Sequence, residues 1–151
     1  MPTKFEKAIA IVLGNEGGYD NLPQDQETNF GIIQNDLDDA IIKKIVPSYT
    51  TIKGLTIKQA IAIYKELYYD NCPNLDKVDS QAVITKILDL RVNIGTHGAT
   101  KLVQRAINKL GSYTVAEDGI FGQHTLDAIN HTKGGFLLTE IRQLQLNIIM
   151  I

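Results

Sequence analysis

The chain has 151 residues, 44% hydrophobic and 21% charged, which is enough for one compact domain and excludes wholesale disorder. Fifteen basic against seventeen acidic side chains leave a formal charge of -2, without the basic excess of a nucleic-acid binder. A lone cysteine, Cys72, excludes an intramolecular disulfide framework, and the absence of Trp leaves any sugar stacking to Tyr and Phe.

Thr3-Lys4-Phe5-Glu6 has the form of a capping box, and Phe5, Ala8, Ile9, Val12 and Leu13 follow one helical stripe. The apolar run from Ala8 to Leu13 is short for a signal peptide and is read as part of a first helix. Gly17-Gly18 is expected to end that helix through a left-handed cap. Residues 19–35 read as irregular chain with a short hairpin, Asn29-Phe30-Gly31-Ile32-Ile33 being the strand-like stretch.

Helices are expected over about Leu37 to Ile45 and from a second capping box, Thr56-Ile57-Lys58-Gln59, to near Asn71. Others follow over about Ser80 to Ile94, Thr100 to Leu110, Gln123 to His131 and Phe136 to the C-terminus. The fold class is therefore mainly α, with two continuous lobes and a small β-hairpin or irregular loop in the first. The lobes are expected at residues 1–75 and 76–151, forming one compact unit. No apolar run approaches the roughly 20 residues of a membrane span, and a monomer without membrane insertion is expected. His97, His124 and His131 lack metal-ligand spacing, and Asp118-Gly119 lacks the further acids of a calcium loop, so no metal or cofactor is expected.

Glu16 lies four positions beyond Val12, which on a straight helix brings it onto the buried stripe and into the last turn. Partial desolvation and the negative helix end both favour the protonated carboxyl there. A carboxylic acid kept neutral near pH 7 is what a general acid for glycosidic cleavage requires.

Glu16-Gly17-Gly18-Tyr19, then Asn21, Pro23 and Asp25, then Thr28-Asn29-Phe30-Gly31-Ile32, resembles the N-terminal signature of the glycoside hydrolase family 108 N-acetylmuramidases. Asp89, Val92-Asn93-Ile94-Gly95, Leu102-Val103-Gln104 and Asp118-Gly119-Ile120-Phe121-Gly122 with Thr125 resemble the C-terminal peptidoglycan-binding region that accompanies them. The resemblance implies a lysozyme-like fold and hydrolysis of the β-1,4 bond between N-acetylmuramic acid and N-acetylglucosamine in peptidoglycan glycan strands. It carries over Glu16 as the catalytic acid, Asp25 as the loop aspartate and Thr28 as the nearest equivalent of a water-holding threonine. A second, ionised carboxylate stabilises oxocarbenium charge or positions water in such chemistry.

The glycine pair that relatives carry before the T-N-x-G-I segment is missing, so the loop is shorter, and Glu27 enters as an alternative second carboxylate. Tyr19 is a candidate to pack on a sugar or bond Glu16, or else to anchor the loop. Asn29 is a candidate for an N-acetyl group or a turn, and Asp89 and Asn93, four apart on one helix face, for the far side of a cleft or a polar pair. Tyr64, Tyr68 and Tyr69 read as core or lobe-interface residues. Two other activities stay open: a lytic transglycosylase, and a peptidoglycan-binding protein without catalysis. The N-terminal run read as a first helix and not a signal peptide suits cytoplasmic synthesis and passage through a holin-like pore or a secretion system, and the resemblance implies action in the periplasm or cell wall.

Overall fold

The computed structural model describes residues 1–21 and 26–149, with backbone alone at 148 and 149. Helix α1 (Lys4–Asn15) opens on the expected capping box: the Thr3 hydroxyl accepts from Glu6 N–H, and the Glu6 carboxylate accepts from Thr3 N–H. It buries Phe5, Ala8, Ile9 and Val12. Helix α2 (Gln34–Ile42) begins three residues before Leu37, with the Asp36 carboxylate accepting from Ile33 N–H. Helix α3 (Ile57–Tyr64) starts on the second capping box, at Thr56 and Gln59. It runs into a π-helical turn, Lys65–Tyr69, where Asp70 N–H reaches back five residues to the Lys65 carbonyl. A 3-10 segment, Pro73–Lys77, follows Cys72.

Helix α4 (Gln81–Ile94) is capped by the Ser80 hydroxyl and buries Val83, Ile84, Ile87, Leu88, Leu90 and Arg91. Those positions face several directions because α1, α5, α7 and the π turn all pack on α4. A helix apolar on most sides belongs at the centre of a helical core, and α4 is that centre. Helix α5 (Thr96–Leu110) starts four residues before the expected Thr100. Gly95, at φ 85°, ends one helix and opens the next within a single residue. Helices α6 (Gln123–His131) and α7 (Gly134–Ile149) complete the chain. Among the described residues no helix is long and apolar enough to cross a membrane.

One hydrophobic cluster runs from Phe5 to Leu144. Helix α1 lies against α4, so the first half of the chain is stitched to the second near its own start. Lys4 Nζ donates to the Asp76 and Val78 carbonyls, and Gln81 Nε2 donates to the Lys4 carbonyl. Among the described residues the expected small hairpin is reduced to two isolated antiparallel bridges, Asp20 with Thr28 and Asn29 with Ile32. Among the described residues these two bridges form no ladder, and they pin residues 28–32 at two points.

Candidate active site

Helix α1 ends at Asn15, and Glu16 leaves it in extended conformation (φ -90°, ψ 143°), its N–H donating to the Leu13 carbonyl at 3.2 Å. This corrects two expectations. Glu16 is not a last-turn residue continuing the Val12 stripe, and neither Gly17 nor Gly18 adopts positive φ. An extended glutamate does the capping, which points its side chain away from the helix axis and towards the 28–33 segment.

That segment is shaped to receive it. Asp20 and Thr28 exchange two backbone hydrogen bonds (2.8 and 2.9 Å), and Asn29 and Ile32 exchange two more (3.2 and 2.9 Å). Between Asn29 and Ile32, Phe30 (φ 54°) and Gly31 (φ 77°) both lie in the left-handed region, the mark of a tight primed turn. For Phe30 this conformation costs about 1–2 kcal/mol. The strain is held in place by Tyr64, fully buried at the end of α3, whose hydroxyl donates to the Phe30 carbonyl at 2.5 Å.

Gly31 is needed for more than its φ. A Cβ there would sit 2.6 Å from Glu16 Oε2, 2.8 Å from Glu16 Cδ and 2.7 Å from the Tyr64 hydroxyl oxygen. The Glu16 carboxyl and the Tyr64 hydroxyl thus converge on one bare α-carbon.

Burial, and next the negative charge of Asp89 on α4, raise the Glu16 carboxyl above the ordinary glutamate range. Asp89 is itself held by Lys86 (3.8 Å) and by Asn93, whose amide donates to the Asp89 carboxylate at 3.1 Å and to its carbonyl at 2.9 Å. A groove of about 200 Å³ between α1 and α4, lined by Ile11, Val12, Asn15, Thr85, Lys86 and Asp89, opens beside them. Glu16, just past the end of α1, therefore feels the charge of Asp89 on α4, which together with burial pushes it towards its neutral form. A carboxyl whose neutral form is favoured in this way can give up a proton to a leaving oxygen.

The other candidates divide. Asp25 lies outside the described residues. Thr28 is half-buried and pairs its backbone with Asp20. The Tyr19 hydroxyl bonds Glu27 (2.6 Å) and not Glu16, while Lys53 Nζ lies 5.7 Å from the centre of its ring, so Tyr19 and Glu27 of the loop cluster with Lys53 of the 50s segment. Asn29 is buried, and its amide nitrogen donates to the Ile52 (3.0 Å) and Lys53 (3.4 Å) carbonyls. Those two bonds tie the loop to the 50s segment.

Asn29→Ala is accordingly expected to destabilise the fold by about 1–3 kcal/mol, since the buried Ile52 carbonyl loses its donor. Urea unfolding would read that loss. The residues that sequence reasoning missed are Gly31 and Tyr64. Gly31 was visible only as part of a motif, and Tyr64 only as an apolar position on a helix.

In the second half, Gln104 organises the Asp118–Gly122 signature. It is 1% exposed; its amide nitrogen approaches Asp118 Oδ1, the Ile120 carbonyl and Thr125 Oγ1, each at 3.0 Å, and its carbonyl accepts from Gly119 N–H at 2.9 Å. Gly119 (φ 77°) lies against the His97 ring, where no Cβ fits. Asp118 also accepts from Ile120 N–H, so it serves as a turn acceptor within the loop.

A family model described as Glycosyl hydrolase 108 matches residues 9–95, a span that holds Glu16, the Phe30–Gly31 turn, Tyr64 and Asp89. Comparison with curated proteins gives no match. Among solved structures, that of Brucella abortus SagA is similar, with 28% sequence identity and a TM-score of 0.77, over 97% of this chain and 79% of that one. The match to more than half of the chain, together with a mainly helical fold shared with SagA, shows that the protein belongs to glycosyl hydrolase family 108 and is a glycoside hydrolase.

Proposed function

We propose that the protein is a muramidase, hydrolysing the β-1,4 bond between N-acetylmuramic acid and N-acetylglucosamine in peptidoglycan, with Glu16 as general acid. The observation that carries this reading is the Glu16 carboxyl: half-buried, raised in pKa by burial and by Asp89, and seated on the bare face of Gly31. Such a group protonates the glycosidic oxygen as the bond to the anomeric carbon breaks. The charge that develops on the sugar ring requires an ionised partner. Asp25 is the loop aspartate that the family motif assigns to this role, and Thr28 the hydroxyl that holds the attacking water.

Tyr19, Asn93 and Asp89 would border the glycan, while Asn29 contributes by keeping the loop in shape. The second half, residues 76–151, would attach the enzyme to the wall through shape and hydrogen bonding, in keeping with a net charge of only -2. The protein acts on the wall as a monomer, reached from the cytoplasm through a holin-like pore or a secretion system.

The test is product analysis. Purified murein sacculi incubated with the protein should release fragments ending in free reducing muramic acid, read by mass spectrometry. Anhydro-muramic ends would instead assign a lytic transglycosylase. Binding to sacculi without any released fragment would remove the catalytic reading altogether.

A further inference from the structure

The Tyr64 hydroxyl has a feature that the proposed chemistry leaves unused. Its single proton is committed to the Phe30 carbonyl at 2.5 Å. Its oxygen lies on the same face of Gly31 as Glu16 Oε2, each within 3 Å of the point a Gly31 Cβ would occupy. An oxygen whose proton is spent elsewhere offers lone pairs only. It favours a neighbouring carboxyl that carries its proton and disfavours one that has lost it.

We infer that Tyr64 is a positioning residue for Glu16, pinning the Phe30–Gly31 turn over the carboxyl and holding it in the protonated form by presenting only lone pairs. This rests on the reading of Glu16 as the acid and deepens it. The hydroxyl also keeps its own proton across the working range, because burial and the charges of Glu16 and Asp36 push its pKa far up. It is therefore a fixed dipole and not a proton shuttle.

Among the described residues, the charged groups around this pair come from three elements. Asp89 of α4 works in the same direction as Tyr64, while Lys86, 3.8 Å from Asp89, works against it. Asp36 of α2 accepts from the Tyr68 hydroxyl at 2.5 Å, and the Tyr68 ring lies 5.9 Å from that of Tyr64. Arg142 of α7 lines the groove beside Asp89. Of these groups, only the Tyr64 oxygen shares the bare α-carbon with the Glu16 carboxyl.

The experiment follows the side-chain carboxyl carbon of Glu16 by NMR in the full chain labelled with 13C-glutamate, the resonance being assigned by its loss in Glu16→Gln. In Tyr64→Phe the Glu16 midpoint should fall by about half a pH unit or more, and the alkaline limb of kcat/KM on sacculi should fall with it while KM stays near its original value. Tyr69→Phe makes the same chemical change on a hydroxyl bonded to Asp76, and it should leave the Glu16 midpoint unmoved. An unchanged midpoint in folded Tyr64→Phe overturns the inference.

If that variant does not fold, Gly31→Ala tests the same contact, since its methyl must push the carboxyl off the turn and lower the midpoint; no change there is equally fatal. Retained activity in Glu16→Gln would instead remove the general-acid reading, and the midpoints would still report on Tyr64 independently.

Discussion

Glu16→Gln should lower turnover on purified sacculi by about 10²–10⁴-fold, the range associated with losing a general acid, and should make the protein more stable at neutral pH. The two outcomes have one cause. In the folded chain burial and Asp89 raise the Glu16 pKa, so the native state holds this proton more tightly than the unfolded one. Stability then declines as pH rises from the ordinary glutamate range through the raised folded value, because over that interval the folded state binds more protons. Glutamine carries no charge at any pH. Below the ordinary range the two proteins should unfold together, and above the raised value the variant should unfold at higher temperature. Thermal unfolding at acid and neutral pH, beside reducing-end release, reads both effects. A variant that stayed active, or whose stability advantage did not grow with pH, would refute this account of Glu16.

Gln104→Ala should be among the most destabilising substitutions in the second half, costing about 3–5 kcal/mol. The side chain is buried, and it supplies donors to Asp118, Ile120 and Thr125 and the acceptor for Gly119 N–H. An amide has two N–H groups, so three acceptors at 3.0 Å share them. Each buried group left without a partner costs about 1–3 kcal/mol, and the truncation leaves a cavity on α5. For a chain of this size that corresponds to a midpoint drop of roughly 8–15 °C. Gln104→Glu separates hydrogen bonding from packing: it keeps the volume and the acceptor for Gly119 N–H but removes the donors, and it adds a charge facing Asp118. It too should be strongly destabilised, whereas a packing role alone would leave it near the parent.

The helix starts were legible because their signals are local. Thr3 with Glu6 and Thr56 with Gln59 form the capping boxes that their spacing predicts, and Ser80 caps α4. The ends and joins were less so. Gly17-Gly18 has the composition of a left-handed cap, yet an extended Glu16 ends α1, with its half-buried carboxyl set against Gly31. A tertiary contact likewise hid Tyr64. Its spacing from Tyr68 fits a buried helical stripe equally well whether its hydroxyl meets solvent or the Phe30 carbonyl thirty-four residues away.

Helix α5 began early since Gly95 serves two helices at once, a frugality that periodicity does not reveal. Within the site, Glu16 and Asp89 were both legible as candidates. Their electrostatic pairing depends on α1 lying along α4, which no local pattern encodes.

The π-helical turn at Lys65–Tyr69 constrains how this lineage can change. Its widened loop of backbone lets two successive tyrosines reach opposite neighbours: Tyr68 bonds Asp36, while Tyr69 bonds Asp76 and sets its ring 5.1 Å from that of Phe5. Deleting one residue there would restore ordinary helical winding of about 100° per residue, so four residues would span nearly the rotation that the five now cover. The chain beyond would keep its direction, while the two tyrosines would lose their separate partners. Glu66 faces solvent and can be exchanged, and Lys65, also exposed, would give up only a surface ion pair with Asp70 (2.6 Å). Their number holds the turn open and the two tyrosines apart, so drift that keeps both hydroxyls bonded should proceed along this stretch by replacement.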